Sequence, residues 1–142
     1  MISLCTFVVC TFLSVTPPPT PQSIVEQFVF QRPLSVFVRE AQSAHHDARL
    51  DWSTDGCSAP VVGSTGRSFD FYEACWRHDF AYRNYARINN GALWTSRLRA
   101  RVDAVFRKDM AQHCATRARS IRTTCRRWSN VFYTAVRTYG SP

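Results

Sequence analysis

From about residue 70 onward the apolar positions fall at helical spacing. Phe71, Ala74, Cys75, Phe80, Tyr82 and Tyr85 are spaced for a helix. Asp70 is placed to cap its start, with Glu73 three residues later. Asn89-Asn90-Gly91 then reads as a turn. Beyond it, Trp94, Leu98, Val102, Val105, Phe106 and Met110 form a second stripe, which predicts a long helix running to about Cys114. A final helix is expected over residues 128–139, from Trp128, Phe132, Ala135, Val136 and Tyr139, with Gly140 as its stop. Upstream, residues 23–30 predict a short helix with Ser23 as N-cap and Glu26 three residues on. Pro33 ends it, and residues 34–44 favour a second short helix. Residues 45–66, rich in Asp, Ser, Gly and Pro, read as loop. No pair of strands emerges, so the fold class is all-α, built on two long antiparallel helices.

The remaining N-terminal stretch changes that picture. Residues 1–15 are apolar and uncharged, and Thr16-Pro17-Pro18-Pro19-Thr20-Pro21 follows them. The apolar run is too short for a spanning helix, which needs about 20 such residues. Residues 1–22 are therefore expected to be a secretory signal peptide with a Pro-rich processing region, and residues 23–142 the functional domain. Cys5 and Cys10 would leave with the signal, so Cys57, Cys75, Cys114 and Cys125 remain. An even number in a small exported domain suggests two disulfides, with three connectivities open. A zinc site is disfavoured, because no C-x-x-C pair is present. The expected product is a small disulfide-braced helical domain.

The formal net charge is +8, and all but one of the 18 basic residues are Arg. Such a surface is drawn to polyanions, and guanidinium groups fork onto phosphate. Charge alone does not choose between nucleic acid and lipid headgroups. The spacing of three carboxylates and a histidine narrows the choice. His78 and Asp103 stand at equal distances from the turn at Asn90-Gly91. In an antiparallel hairpin such residues lie at the same height, so the two are expected to meet. A carboxylate on one imidazole nitrogen fixes the tautomer and stabilises the imidazolium, leaving the other nitrogen to take a proton from water. Asp79 points about 100° away from His78, towards Asp51-Trp52-Ser53-Thr54-Asp55-Gly56-Cys57. If Cys57 bonds Cys75, that loop is tied one turn before Asp79. Asp55, Asp79 and the Gly56 carbonyl then form a set of hard oxygen ligands of the kind calcium prefers. A cation beside a base-activated water outlines a hydrolytic site. A nuclease would call for more metal carboxylates or two metals, so no nucleic acid partner is expected.

These residues also carry a resemblance. The loop 51–57, the run Cys75-x-Arg77-His78-Asp79-Phe80-x-Tyr82-Arg83-Asn84-Tyr85, and Arg101-Val102-Asp103-x-x-Phe106-x-x-Asp109-Met110-x-x-x-Cys114 resemble the secreted phospholipases A2 of bacterial and fungal type. The resemblance covers roughly residues 50 to 114. It implies calcium-dependent hydrolysis of a phospholipid acyl ester, at the sn-2 position, at a membrane or micelle surface. It makes His78 the general base, Asp103 its orienting group and Tyr82 a brace of the site. Asp55 and Asp79 would hold Ca2+ by carboxylate and Gly56 by its carbonyl. It also implies Cys57–Cys75 and Cys114–Cys125 disulfides. The basic charge adds an expected preference for anionic interfaces, and a secreted monomer is expected. Two features depart from the family pattern: Ala81 stands where Gly is usual, and residues 117–127 are unusually rich in Arg. The alternative reading is a cationic secreted protein that binds membranes or a partner without hydrolysis.

Overall fold

A computed structural model of the chain describes residues 17–57 and 69–140. The apolar segment 1–15, with Cys5 and Cys10, lies outside the described residues, as does the second half of the 45–66 loop. Five α-helices form the described fold: α1 (Pro21–Glu26), α2 (Leu34–Ala41), α3 (Tyr72–Arg87), α4 (Ser96–Ala115) and α5 (Arg119–Tyr139). A π-helical turn (Gln27–Gln31) extends α1, and a 3-10 turn (Ile88–Gly91) joins α3 to α4. No strand occurs among the described residues.

The first helix starts earlier than its sequence suggests. Thr20, not Ser23, is its N-cap: the Ser23 amide donates to the Thr20 hydroxyl at 3.1 Å. Pro21 occupies the first helical position, where its missing N–H costs nothing and its fixed φ suits the helix. The helix thus begins inside the segment read as a processing region. At α3, Phe71 holds the cap position and Asp70 acts from one residue outside, accepting from the Tyr72 amide at 2.9 Å. The α3–α4 turn places Asn89 and Asn90 at φ 51° and 53°, the left-handed region that Asn tolerates best among side-chain-bearing residues. Gly91 follows at φ +74°, where an added Cβ would sit 3.1 Å from the Ala86 carbonyl oxygen. Thr95 then caps α4, accepting from the Leu98 amide at 3.2 Å.

The largest departure is α5. It begins at Arg119, well ahead of the expected start at Trp128. The Arg-rich run masks an apolar face made by Cys125, Trp128 and Phe132, and Cys125 is fully buried. Its disulfide with Cys114 ties the start of α5 to the end of α4, and Cys57–Cys75 ties the loop to α3. Both pairings are those the resemblance implies.

Two apolar clusters flank α3. Val25, Val29, Phe37, Trp52, Phe80, Tyr85 and Val102 fill one side; Phe71, Cys75, Phe106, Met110, Cys114, Cys125 and Phe132 fill the other. Helix α3 is therefore buried on two faces, and its polar residues inside the core must find partners. Arg77 does so through a two-pronged ion pair with Asp109 of α4, Nε donating to Oδ2 at 2.9 Å. It also donates to the Arg32 carbonyl at 2.8 Å, where the π-helical turn ends. Read from sequence, Asp109 pairs with His113 on the surface. Instead Asp109 is buried, and the His113 ring packs edge-on against Phe71 at 5.3 Å. Among the described residues no helix is long and apolar enough to cross a membrane.

Candidate active site

The height match across the α3–α4 hairpin brings two side chains together. His78 Nε2 lies 2.8 Å from Asp103 Oδ1, inside the protein. Only 8% of the His78 side chain and none of the Asp103 side chain is exposed. A carboxylate accepts only, so Nε2–H donates and Nδ1 is the ring nitrogen left for the cleft that His78 lines. The imidazole is held between the Tyr82 ring, at 4.2 Å between centroids, and the Phe106 ring, at 4.7 Å.

Asp103 is the most heavily bonded carboxylate of the site. Oδ1 also accepts from the Tyr82 hydroxyl at 2.7 Å, one turn after His78. Oδ2 accepts from Arg137 of α5 at 2.8 Å and lies 3.6 Å from Arg99 Nε. Burial alone pushes this carboxyl up, but the hydrogen bonds from His78, Arg137 and Tyr82 outweigh it and hold Asp103 below the usual carboxylate range. Burial and the same carboxylate push the Tyr82 phenol well above its ordinary value, so it stays a donor. From sequence, Asp103 with Arg99 and Arg107 also fits a surface ion-pair cluster; the carboxylate is fully buried, and Arg107 lies elsewhere, against Asn130 and Tyr133.

Asp79 faces the other way, onto the loop. Its Oδ2 accepts from the Thr54 hydroxyl at 2.6 Å and from the Asp55 amide at 3.2 Å. Burial is the main force raising the Asp79 carboxyl, and the Asp55 charge adds to it. Asp55 is largely exposed, with Arg83 at 3.3 Å. Gly56 follows at φ +67° and Cys57 at +53°, so the backbone turns sharply just before the disulfide.

Three further side chains of α3 hold this loop. Asn84 uses its amide as a backbone mimic: its Oδ1 accepts from the Asp51 N–H at 2.9 Å and its Nδ2 donates to the Asp51 carbonyl at 2.8 Å. Trp76 Nε1 donates to the Trp52 carbonyl at 2.6 Å. Arg83 donates to the Ser53 hydroxyl at 2.7 Å.

His78, Asp79, Asp55 and Tyr82 all line one cleft of about 240 Å³. Its far wall is apolar: Phe106 from α4 and Phe132, Ala135, Val136 and Tyr139 from α5. A carboxylate-bound imidazole thus opens onto a largely apolar slot, with two carboxylates beside it. A larger groove, about 630 Å³, runs between α2, the start of α3 and the end of α4, and holds none of these groups. No group of three or more His, Cys, Asp or Glu is placed to hold a metal ion among the described residues. The oxygen donors nevertheless suit one hard cation: Asp79 on α3 and Asp55 on the loop are neighbouring carboxylates, the first raised by burial and by the second's charge. Sequence reasoning missed Thr54, Asn84 and Arg137. The first two sit in the motifs themselves, but nothing in sequence told α5 where to cross α4.

The sequence profile of the prokaryotic phospholipase A2 family matches residues 25–140 of this chain. The chain belongs to that family. As a prokaryotic-type phospholipase A2 relative it also aligns with curated fungal proteins. A secretory phospholipase A2 of Beauveria bassiana is 35% identical over 128 residues, covering 89% of this chain and 63% of that protein. A secretory phospholipase A2 of Arthroderma benhamiae is 31% identical over 121 residues, covering 83% of this chain and 78% of that protein. The chain thus spans a little under two thirds of the length of the Beauveria relative.

Proposed function

We propose that this family member is a secreted phospholipase A2 that hydrolyses the sn-2 acyl ester of a phospholipid with the help of Ca2+. The observation that carries the reading is His78, fixed by a buried carboxylate, opening onto an apolar cleft flanked by Asp55 and Asp79. The family match and the names of both fungal relatives support it.

In this reading an acyl chain lies along Phe106, Phe132 and Val136, which shed water as it enters. His78 Nδ1 takes a proton from a water, and the water oxygen bonds to the ester carbonyl carbon. Asp103 stabilises the imidazolium and keeps the ring in one orientation. The bond to the glycerol oxygen then breaks, and His78 returns its proton to that oxygen. Fatty acid and lysophospholipid leave. Asp55 and Asp79, with the Gly56 carbonyl, would hold the calcium ion, whose charge favours an oxyanion at the ester and a nearby phosphate. The enzyme acts as a monomer on lipid interfaces, anionic ones preferred because of its +8 charge. In this reading residues 1–22 are the export signal and Pro-rich processing region, the last two of which fall within α1.

The test is fatty-acid release from phosphatidylcholine vesicles, first with calcium and then with EGTA. Release that stops on chelation is expected. No release from folded, oxidised protein in either condition would sink the proposal. A second reading, membrane binding without hydrolysis, draws on the exposed Arg117, Arg119, Arg126 and Arg127 around the start of α5. It predicts membrane effects that persist in His78→Ala.

A further inference from the structure

Helix α5 does more than wall the cleft. Its Arg137 reaches back across α4 and donates to Asp103 Oδ2 at 2.8 Å, on the side of the carboxylate opposite His78. Arg137 is not itself a cleft residue, whereas its neighbours Val136 and Tyr139 are. Arg99, buried on α4, donates to the Arg137 carbonyl at 2.7 Å and so pins the same turn of α5. A carboxylate gripped only at Oδ1 could rotate about its last torsion, because that torsion is broad. Gripped at Oδ1 by His78 and Tyr82 and at Oδ2 by Arg137, it is fixed.

We infer that Arg137 is a positioning residue for hydrolysis: through Asp103 it holds the His78 ring in its productive orientation, and it couples that orientation to the helix that forms the acyl wall. The inference rests on the phospholipase reading. A planar guanidinium suits this task, since it is permanently charged and directional. The competing explanation is that Arg137 merely fastens α5 to α4. The two differ in what a substitution changes. A fastener affects stability and, through the cleft wall, substrate binding. A positioning group affects turnover at saturating lipid.

The experiment compares wild type, Arg137→Met and Arg137→Lys in three measurements. Vesicle hydrolysis gives kcat and KM separately. Proton NMR follows the His78 ring Nε2–H resonance, assigned by its loss in His78→Gln. Thermal unfolding reports folding. The expected result for Arg137→Met is a kcat about 10- to 100-fold lower at nearly unchanged KM, the size of effect a misplaced catalytic group produces. Its Nε2–H signal should broaden or move upfield, and Arg137→Lys should recover much of both. A kcat and a resonance unchanged in Arg137→Met would overturn the inference. So would a loss of turnover that merely tracks unfolding and that Lys does not restore. If wild type releases no fatty acid, the phospholipase reading fails, and the resonance alone still decides whether Arg137 orders the Asp103–His78 pair.

Discussion

Two polar pairs meet at one cleft and are built in opposite ways. The His78–Asp103 pair is dry, flanked by aromatic rings, and carried by two long helices whose register sets its height. Asp55 and Asp79 meet where a loop touches a helix, and Asp55 is 60% exposed in its side chain. Asp103 is surrounded by donors that lower its carboxyl, whereas burial and a neighbouring carboxylate raise that of Asp79. The first pair is complete without any visitor. The second is arranged against its own electrostatics, which the proposed cation would relieve. In the proposed reaction, pre-organisation is concentrated where a proton would move, and adaptability where an ion and a headgroup would arrive.

The sharpest way to break the contrast is at the base. His78→Ala should lower turnover by about 10³-fold, within the range for a lost general base, while circular dichroism shows the helices intact. Undiminished fatty-acid release would remove the dyad from the reaction. Asp79→Asn should come next, with a loss of about 100-fold at ordinary calcium, because a carboxylate ligand to a hard cation is gone. Isothermal titration should show weakened calcium binding, and calcium should no longer raise the melting temperature. Retained calcium binding in this variant would refute the assignment of the ion to the loop.

Acid stability separates the pairs more finely. Asp103 titrates below the usual carboxylate range when folded, so the stability it lends is present above about pH 4 and is lost as pH falls through its lowered folded value. Melting curves taken from neutral to acidic pH should therefore fall less steeply in Asp103→Asn than in wild type. Parallel slopes would mean that the carboxylate is not favoured by its neighbours. The smallest effect is expected at Asn84. Asn84→Ala strips both hydrogen bonds from Asp51 and should cost about 1–3 kcal/mol in urea unfolding. The Nε2–H resonance of His78 should stay in place while calcium affinity drops. A shifted resonance would show that the two pairs are not independent.

What could be seen in the sequence follows the same division. His78 opposite Asp103 was legible because helical rise is constant and a hairpin counts equally from its turn. That Asp79 would face the loop followed from 100° per residue. Asp103's contact with Arg137 was not legible, since it depends on the angle and register at which α5 crosses α4. The early start of α5 was hidden because Arg residues dominate its first turns, where Cys125 is the one buried residue between Arg119 and Trp128. At the first helix, Ser23 looked like the cap because Pro21 looked like a breaker. Proline is harmless at the first helical position, and Thr20 supplies the hydroxyl.

The Asn84 amide has a consequence for how such proteins can be altered. By presenting a carbonyl and an N–H to Asp51 together, one side chain does for the loop what a neighbouring strand does for a sheet edge. It sets the loop's reading frame. A transplanted loop that keeps an Asp51-like backbone position and the closing cysteine is expected to dock in the same frame, so the segment carrying the proposed ion ligands can be exchanged on a fixed helical chassis.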